Sequence, residues 1–169
     1  GSIHAKNSFV MEGGRVAMHH PAYNAANKAI QATNVTVYGG TLEITTTASS
    51  QSGSYAINCT NLTLNGGSVH TTTGRGVVAT GAVVINGGVH NFENNFQAGV
   101  KTVAAASITI NAGEVTMTAC EKGGAALTST AITLPASGNY VAKIGETLYL
   151  SLNEAIAAAE KQAYNADGA

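Results

Sequence analysis

The sequence predicts an all-β fold: a single-stranded right-handed parallel β-helix (solenoid) of about six coils, followed by a short C-terminal α-helix. Three observations carry that expectation. A six-residue segment recurs along the chain, its apolar residues fall into aligned columns, and apolar and polar residues alternate with period two. Such alternation marks half-buried strands, and no helical period competes with it before the tail.

The recurring segment reads Phe9-Val-Met-Glu-Gly-Gly14, Val35-Thr-Val-Tyr-Gly-Gly40, Leu62-Thr-Leu-Asn-Gly-Gly67, Val83-Val-Ile-Asn-Gly-Gly88 and Ile108-Thr-Ile-Asn-Ala-Gly113. Ile132-Thr-Leu-Pro-Ala-Ser137 is a weaker sixth copy. The fifth position of each copy falls at 13, 39, 66, 87, 112 and 136, so the units run from 21 to 27 residues. Each unit opens with a short strand and turns at a Gly-Gly bend, which glycine permits because it accepts positive φ. A second strand follows, as in Leu42-Glu-Ile44, Val69-His-Thr71 and Val115-Thr-Met117. A variable Ser/Thr/Gly/Asn stretch leads to a third strand, as in Tyr55-Ala-Ile57.

The columns support the alignment. Phe9, Val35, Leu62, Val83, Ile108 and Ile132 are all apolar, as are Met11, Val37, Leu64, Ile85, Ile110 and Leu134. Nine residues before each bend stand Ile30, Ile57, Val78, Val103 and Leu127. A unit this short cannot bury its own apolar face, whereas stacked units can. Stacked parallel strands lie about 4.8 Å apart, and parallel crossovers favour the right hand. Just before the bend, Asn65, Asn86 and Asn111 repeat, which predicts a ladder of amides bonded from coil to coil.

The grammar ends near Glu146. Ser151-Leu-Asn-Glu154 reads as a capping box before Ala155–Ala163, a run of good helix formers. The domain expectation is a β-helix over 3–145 and, over 146–169, a helical cap or the start of a truncated next module. The region from His19-His20-Pro21 to Lys28 reads as a loop or short helical turn. The opening Gly1-Ser2 reads as the remnant of a cleaved tag, so the chain is expected to be an excised piece.

Composition excludes several classes. Charged residues are 10%, against about 25% in an ordinary soluble domain. Eight Lys and Arg against nine Asp and Glu leave no basic surplus for phosphates, so no nucleic-acid partner is expected. Mean hydropathy is +0.10, yet no apolar run approaches the roughly 18 residues of a membrane helix, so no membrane insertion is expected. Cys59 and Cys120 form no close pair and read as two separate small residues.

Units such as Ala56-Ile-Asn-Cys-Thr-Asn-Leu-Thr-Leu-Asn-Gly-Gly-Ser-Val-His-Thr-Thr-Thr-Gly74 resemble the repeats of bacterial cell-surface parallel β-helix proteins, many of them carbohydrate-binding-domain-containing and pectin-lyase-like. The resemblance covers roughly residues 7–145. Tyr149-Leu-Ser-Leu-Asn-Glu-Ala-Ile156 resembles an element that opens modules in large surface proteins of Gram-positive bacteria. Together they imply a secreted or cell-surface origin and neighbouring domains in a larger protein. Some relatives bind calcium through clustered Asp. The single Asp here is Asp167, in the tail, so no such cofactor is expected.

Candidate site residues follow from this frame. Polysaccharide lyases and hydrolases on this fold need clustered carboxylates. Here Glu12, Glu43, Glu93 and Glu114 fall on different coils or columns, so no catalytic residue is expected. Glu43, His70 and His90 would form an outward metal-binding or pH-sensitive column if the 21-residue coil loses one residue after Gly88. The outward row Thr36, Thr63, Thr109 and Thr133, interrupted by Val84, is either an ordinary strand surface or a face for a polysaccharide or ordered water. Sugar stacking needs exposed aromatics; Tyr23, Tyr38, Tyr55, Phe92, Phe96 and Tyr140 are available, and Tyr38, Phe92 and Phe96 are the site candidates. The expected function is a non-catalytic adhesion or carbohydrate-binding module whose partner is a polysaccharide or host glycan. The alternative is a rigid spacer with no ligand. A lyase, a hydrolase or an ice-binding protein is expected less.

Overall fold

Period-two alternation does become strand after strand. In chain order these are Ile3–His4 (β1), Ser8–Met11 (β2), Arg15–His20 (β3), Lys28–Val37 (β4), Thr41–Thr46 (β5), Tyr55–Leu64 (β6), Ser68–Thr73 (β7), Arg75–Ala79 (β8), Ala82–Ile85 (β9), Val89–Asn94 (β10), Val103–Ala104 (β11), Ser107–Ile110 (β12) and Glu114–Thr118 (β13). Leu127–Thr128 (β14), Ala131–Thr133 (β15), Ala142–Ile144 (β16) and Thr147–Tyr149 (β17) follow. The computed structural model describes residues 1–20, 28–46, 55–73, 75–94 and 102–118, together with β14 to β17.

Every strand pairing is parallel except that of β16 with β17, which is antiparallel. One sheet runs β3-β5-β7-β10-β13, five strands joined by four parallel steps, and so counts out about four turns of a β-solenoid. The other has ten strands, because β4 and β6 are long enough to serve two ladders. The first half of β6 pairs with β8 and its second half with β9.

The predicted columns become rows across the stack. Phe9 pairs with Val35, Val35 with Leu62, Leu62 with Val83, Val83 with Ile108 and Ile108 with Ile132. Met11, Val37, Leu64, Ile85 and Ile110 form the next inward row. From the facing sheet come Leu42, Ile44, Val69, Phe92, Val115 and Met117, which lie in one buried cluster with Val35, Leu62, Val83, Ile108 and the second row, while Phe9 packs against it half-buried. Burying a side chain of this size contributes about 1.5–3 kcal/mol, so the core rows supply the main stabilisation.

One column differs from the expected one. Ile57 pairs with Val77, not Val78, and Val77 pairs in turn with Val103. The cause is an extra residue at the corner after β8. The chain needs 47–54 to pass from β5 to β6 but only residue 74 to pass from β7 to β8. That saves seven residues, and Gly81 gives one back, which makes the coil six residues shorter. A Cβ on Gly81 would lie 2.6 Å from Asn61 Oδ1, so only glycine fits this inserted position.

The second bend residue is glycine for its backbone conformation and, from the second turn on, for want of room. Gly14, Gly40, Gly67, Gly88 and Gly113 all hold φ between 74° and 100°, where other residues are strained. From Gly40 onward, each would also drive a Cβ into the backbone of the glycine one turn below. The predicted amide ladder forms beside them. Asn86 Nδ2 donates to Asn65 Oδ1 at 2.8 Å, and Asn111 Nδ2 to Asn86 Oδ1 at 2.7 Å.

No helix occurs among the described residues. The predicted helix over Ala155–Ala163 and its capping box lie outside them, as do Cys120 and most of the predicted loop before Lys28. His19 and His20, expected in that loop, end strand β3 instead. The boundary expected between residues 145 and 146 falls between β16 and β17, which pair with each other.

Candidate functional site

A stacked coil turns each sequence position into a line across the surface, so a site here is a set of neighbouring lines. Three such sets carry polar chemistry.

The first lies at the bends. Alternation points Thr36, Thr63, Val84 and Thr109 outward, and the register aligns them. Two residues further on, Tyr38 stands between Glu12 of the turn before and Asn65, from which the row continues to Asn86 and Asn111. Tyr38 is 52% exposed, the one large exposed aromatic among the described residues. Within the row Asn86 both donates and accepts, while Asn65 only accepts and Asn111 only donates, so each amide keeps further hydrogen-bonding capacity.

The second is the outer surface of the five-stranded sheet. Ala17, Glu43, His70, Asn91 and Thr116 are in register. Arg15 pairs with Glu43 across one turn. Glu93 is a hub: Asn91 Nδ2 donates to it at 2.7 Å, the Thr72 hydroxyl donates at 3.2 Å, and His70 Nε2 lies 3.7 Å away. Exposed ion pairs of this kind contribute little stability, about 0–1 kcal/mol each.

The third is an open groove of about 450 Å³ where β4, β6 and β8 turn the corner. In β4 the burial pattern puts Thr33 and Asn34 outward in succession, and this breaks the alternation. Asn61 Nδ2 donates to Asn34 Oδ1 at 3.1 Å, and Asn61 Oδ1 accepts from the Ala82 N–H at 3.2 Å, which pins the corner. Thr33 and the outward-facing Gln31, Asn58, Thr60 and Thr80 line the groove, with Ala32 and Cys59 as small buried floor residues. His4 and Lys6 close one end. Burial pushes the Cys59 thiol up to about 12, so it stays protonated and unreactive at neutral pH.

The candidate residues separate accordingly. Thr36, Thr63, Thr109 and Tyr38 share the bend face. Phe92 does not reach a surface: it is 1% exposed, in the core, with its ring 6.4 Å from that of His90. Phe96 lies outside the described residues. Glu43 and His70 are neighbours in one outward row, but His90 is not the third member. Val89 pairs with Ser68 and His90 with Val69, so no residue is lost after Gly88. The coil is shortened before β8 instead, which leaves the parity of β10 unchanged and turns His90 inward. There its Nε2 lies 2.7 Å from the Gly87 carbonyl, and desolvation lowers its pKa against a smaller upward effect of that bond. Asn91 takes the predicted place of His90.

No group of three or more His, Cys, Asp or Glu able to hold a metal exists among the described residues. Sequence reasoning did not single out the Glu93 hub or the groove. The hub was readable only once the register of the 21-residue coil was fixed. The groove has no motif, only two adjacent outward residues in a strand. No protein-family model, curated protein or solved structure matches this chain.

Proposed function

We propose that the chain is a non-catalytic, extracellular module of a bacterial surface protein that binds carbohydrate, as an adhesion domain does. The observation that carries this reading is the bend face. An exposed aromatic, Tyr38, heads a line of amides and lies beside a line of hydroxyls. A pyranose offers an apolar face to an aromatic ring and hydroxyls to planar polar groups. The finer architecture belongs to the same reading: a right-handed winding, six coils, and a helix over the tail as a cap or the opening of a neighbouring domain.

The carboxylates support a role without catalysis. Glu43 and Glu93 are two turns apart, about 9.6 Å of stack, and are offset by two residues along the strand. Glycosidase pairs sit about 5–9.5 Å apart with the substrate between them. Here Arg15 occupies one carboxylate, and Asn91 and Thr72 the other.

A rigid spacer with no ligand is the second reading. It is favoured by the unbroken turn-to-turn core and by the ladder, whose amides bond to one another from turn to turn. A glycan array run with and without EDTA decides between them. The binding reading expects a reproducible hit that Tyr38→Ala removes. No binding to any glycan at millimolar concentration leaves the spacer. Loss of binding in EDTA would bring metal back to the Glu43 and His70 row.

A further inference from the structure

The corner groove is set apart by its charge. Its lining contains Lys6 and His4 but no carboxylate. Neither Lys6 nor His4 takes part in an ion pair among the described residues. The nearby Asn34 and Asn61 are occupied in pinning the corner. Gln31 and Asn58, by contrast, make no side-chain hydrogen bond among the described residues and stand in register one turn apart. The Thr60 and Thr80 hydroxyls line the same groove.

We infer that this groove binds an acidic oligosaccharide lying along the stack, with its carboxylate at Lys6 and its hydroxyls at Gln31, Asn58, Thr60 and Thr80. The inference rests on the carbohydrate-binding reading above and adds a second site with a charge preference. A linear polymer is the matching shape because donors and acceptors recur once per turn, about every 4.8 Å. A single ammonium suits a sparsely charged chain. It does not suit a nucleic acid, which needs several cations and aromatic stacking surfaces. The floor of Ala32 and Cys59 adds no bulk that would lift a sugar ring off the rims.

The test is titration of the whole chain at low salt, followed by calorimetry and by chemical-shift mapping. The probes are a hyaluronan tetrasaccharide, its carboxyl-reduced counterpart and neutral chitotetraose. The charged probe should bind about tenfold more tightly than its reduced counterpart, as one charge-assisted contact allows. Lys6→Gln should abolish that preference, and Asn58→Ala should weaken both probes. Lys6 is exposed and Asn58 half-buried, so neither change threatens the fold. Equal affinity for charged and reduced probes, or a preference that survives Lys6→Gln, overturns the inference. Binding of neutral chitotetraose that Tyr38→Ala removes, with shifts confined to the bend, keeps the carbohydrate reading and rejects the groove. No binding by any probe overturns the groove, and the glycan array then decides the carbohydrate reading separately.

Discussion

The Gly-Gly bend combines two constraints that four alanine substitutions separate. Gly13 has an ordinary φ and open space around its missing Cβ. Gly14 has φ +78° and also open space. Gly66 has an ordinary φ, but a Cβ there would lie 2.7 Å from the Tyr38 carbonyl. Gly67 combines φ +74° with a Cβ 2.6 Å from the Gly40 carbonyl. Holding alanine in the left-handed region costs about 1–2 kcal/mol, while stiffening the unfolded chain returns about 0.4–1 kcal/mol. Gly14→Ala should therefore cost about 1 kcal/mol, whereas Gly13→Ala, with neither penalty, should stabilise by about 0.4–1 kcal/mol. Overpacking adds about 1–3 kcal/mol. For Gly66→Ala the low end applies, because Ala112 occupies the same bend position in a later turn. Gly67→Ala carries both terms and should cost about 2–4 kcal/mol. Urea unfolding followed by circular dichroism measures all four, with equal m-values as the check that the transition is unchanged. Equal costs for Gly66→Ala and Gly13→Ala would show that the turns do not press on each other, and the packing argument would fall.

Three further outcomes follow from the same geometry. Asn86→Ala removes the ladder bonds to Asn65 and Asn111 and should cost about 1–2 kcal/mol in urea unfolding, since exposed bonds contribute at the low end of their range. Burial lowers the pKa of His90 below its ordinary 6.5, so below that pH the unfolded chain binds more protons than the folded one. Stability should fall as pH drops below 6.5, and His90→Leu should flatten that part of a urea-midpoint profile. The raised pKa of Cys59 has the opposite consequence: stability is full below the ordinary 9.0 and declines as pH rises from there towards about 12. Cys59→Ala should remove that decline, and in the intact protein the thiol should react with a disulfide reagent only on unfolding.

The core was legible in the sequence because each turn repeats the same parity. Phe9, Val35, Leu62, Val83 and Ile108 share a row whatever happens in the connections, since the bend restarts the count in every coil. The amide ladder was legible for the same reason. What could not be read was where a coil of 21 residues loses its length. Placing the loss after Gly88 sends His90 outward, and placing it before β8 sends it inward. Period-two alternation makes a one-residue slip reverse every side chain beyond it. The adjacent Val77-Val78 pair concealed the second slip in the same way, since either valine could fill the inward column beside Ile57.

The outer surface follows a different rule, and this explains why function was harder to read than fold. An inward position is apolar in most turns, with His90 and Thr71 as exceptions, so its row announces itself. An outward row tolerates any polar residue, and a ligand sees only the few turns that differ from the rest. Tyr38 stands where its neighbours have Glu12 and Asn65, and Lys6 lies near Thr33 in a groove otherwise lined by neutral groups. In a repeat protein, the residues that break an outward row are therefore better candidates for recognition than those that keep it. By that criterion the Thr36, Thr63 and Thr109 row only adds hydroxyls beside Tyr38, and the irregular residues at the N-terminal end of the stack are where binding should be sought first. Transferring Tyr38 one turn on, by exchanging it with Asn65, should move any Tyr38-dependent glycan contact by about 4.8 Å along the stack without changing its strength. If the contact is lost altogether, binding at Tyr38 depends on more than the line it sits in.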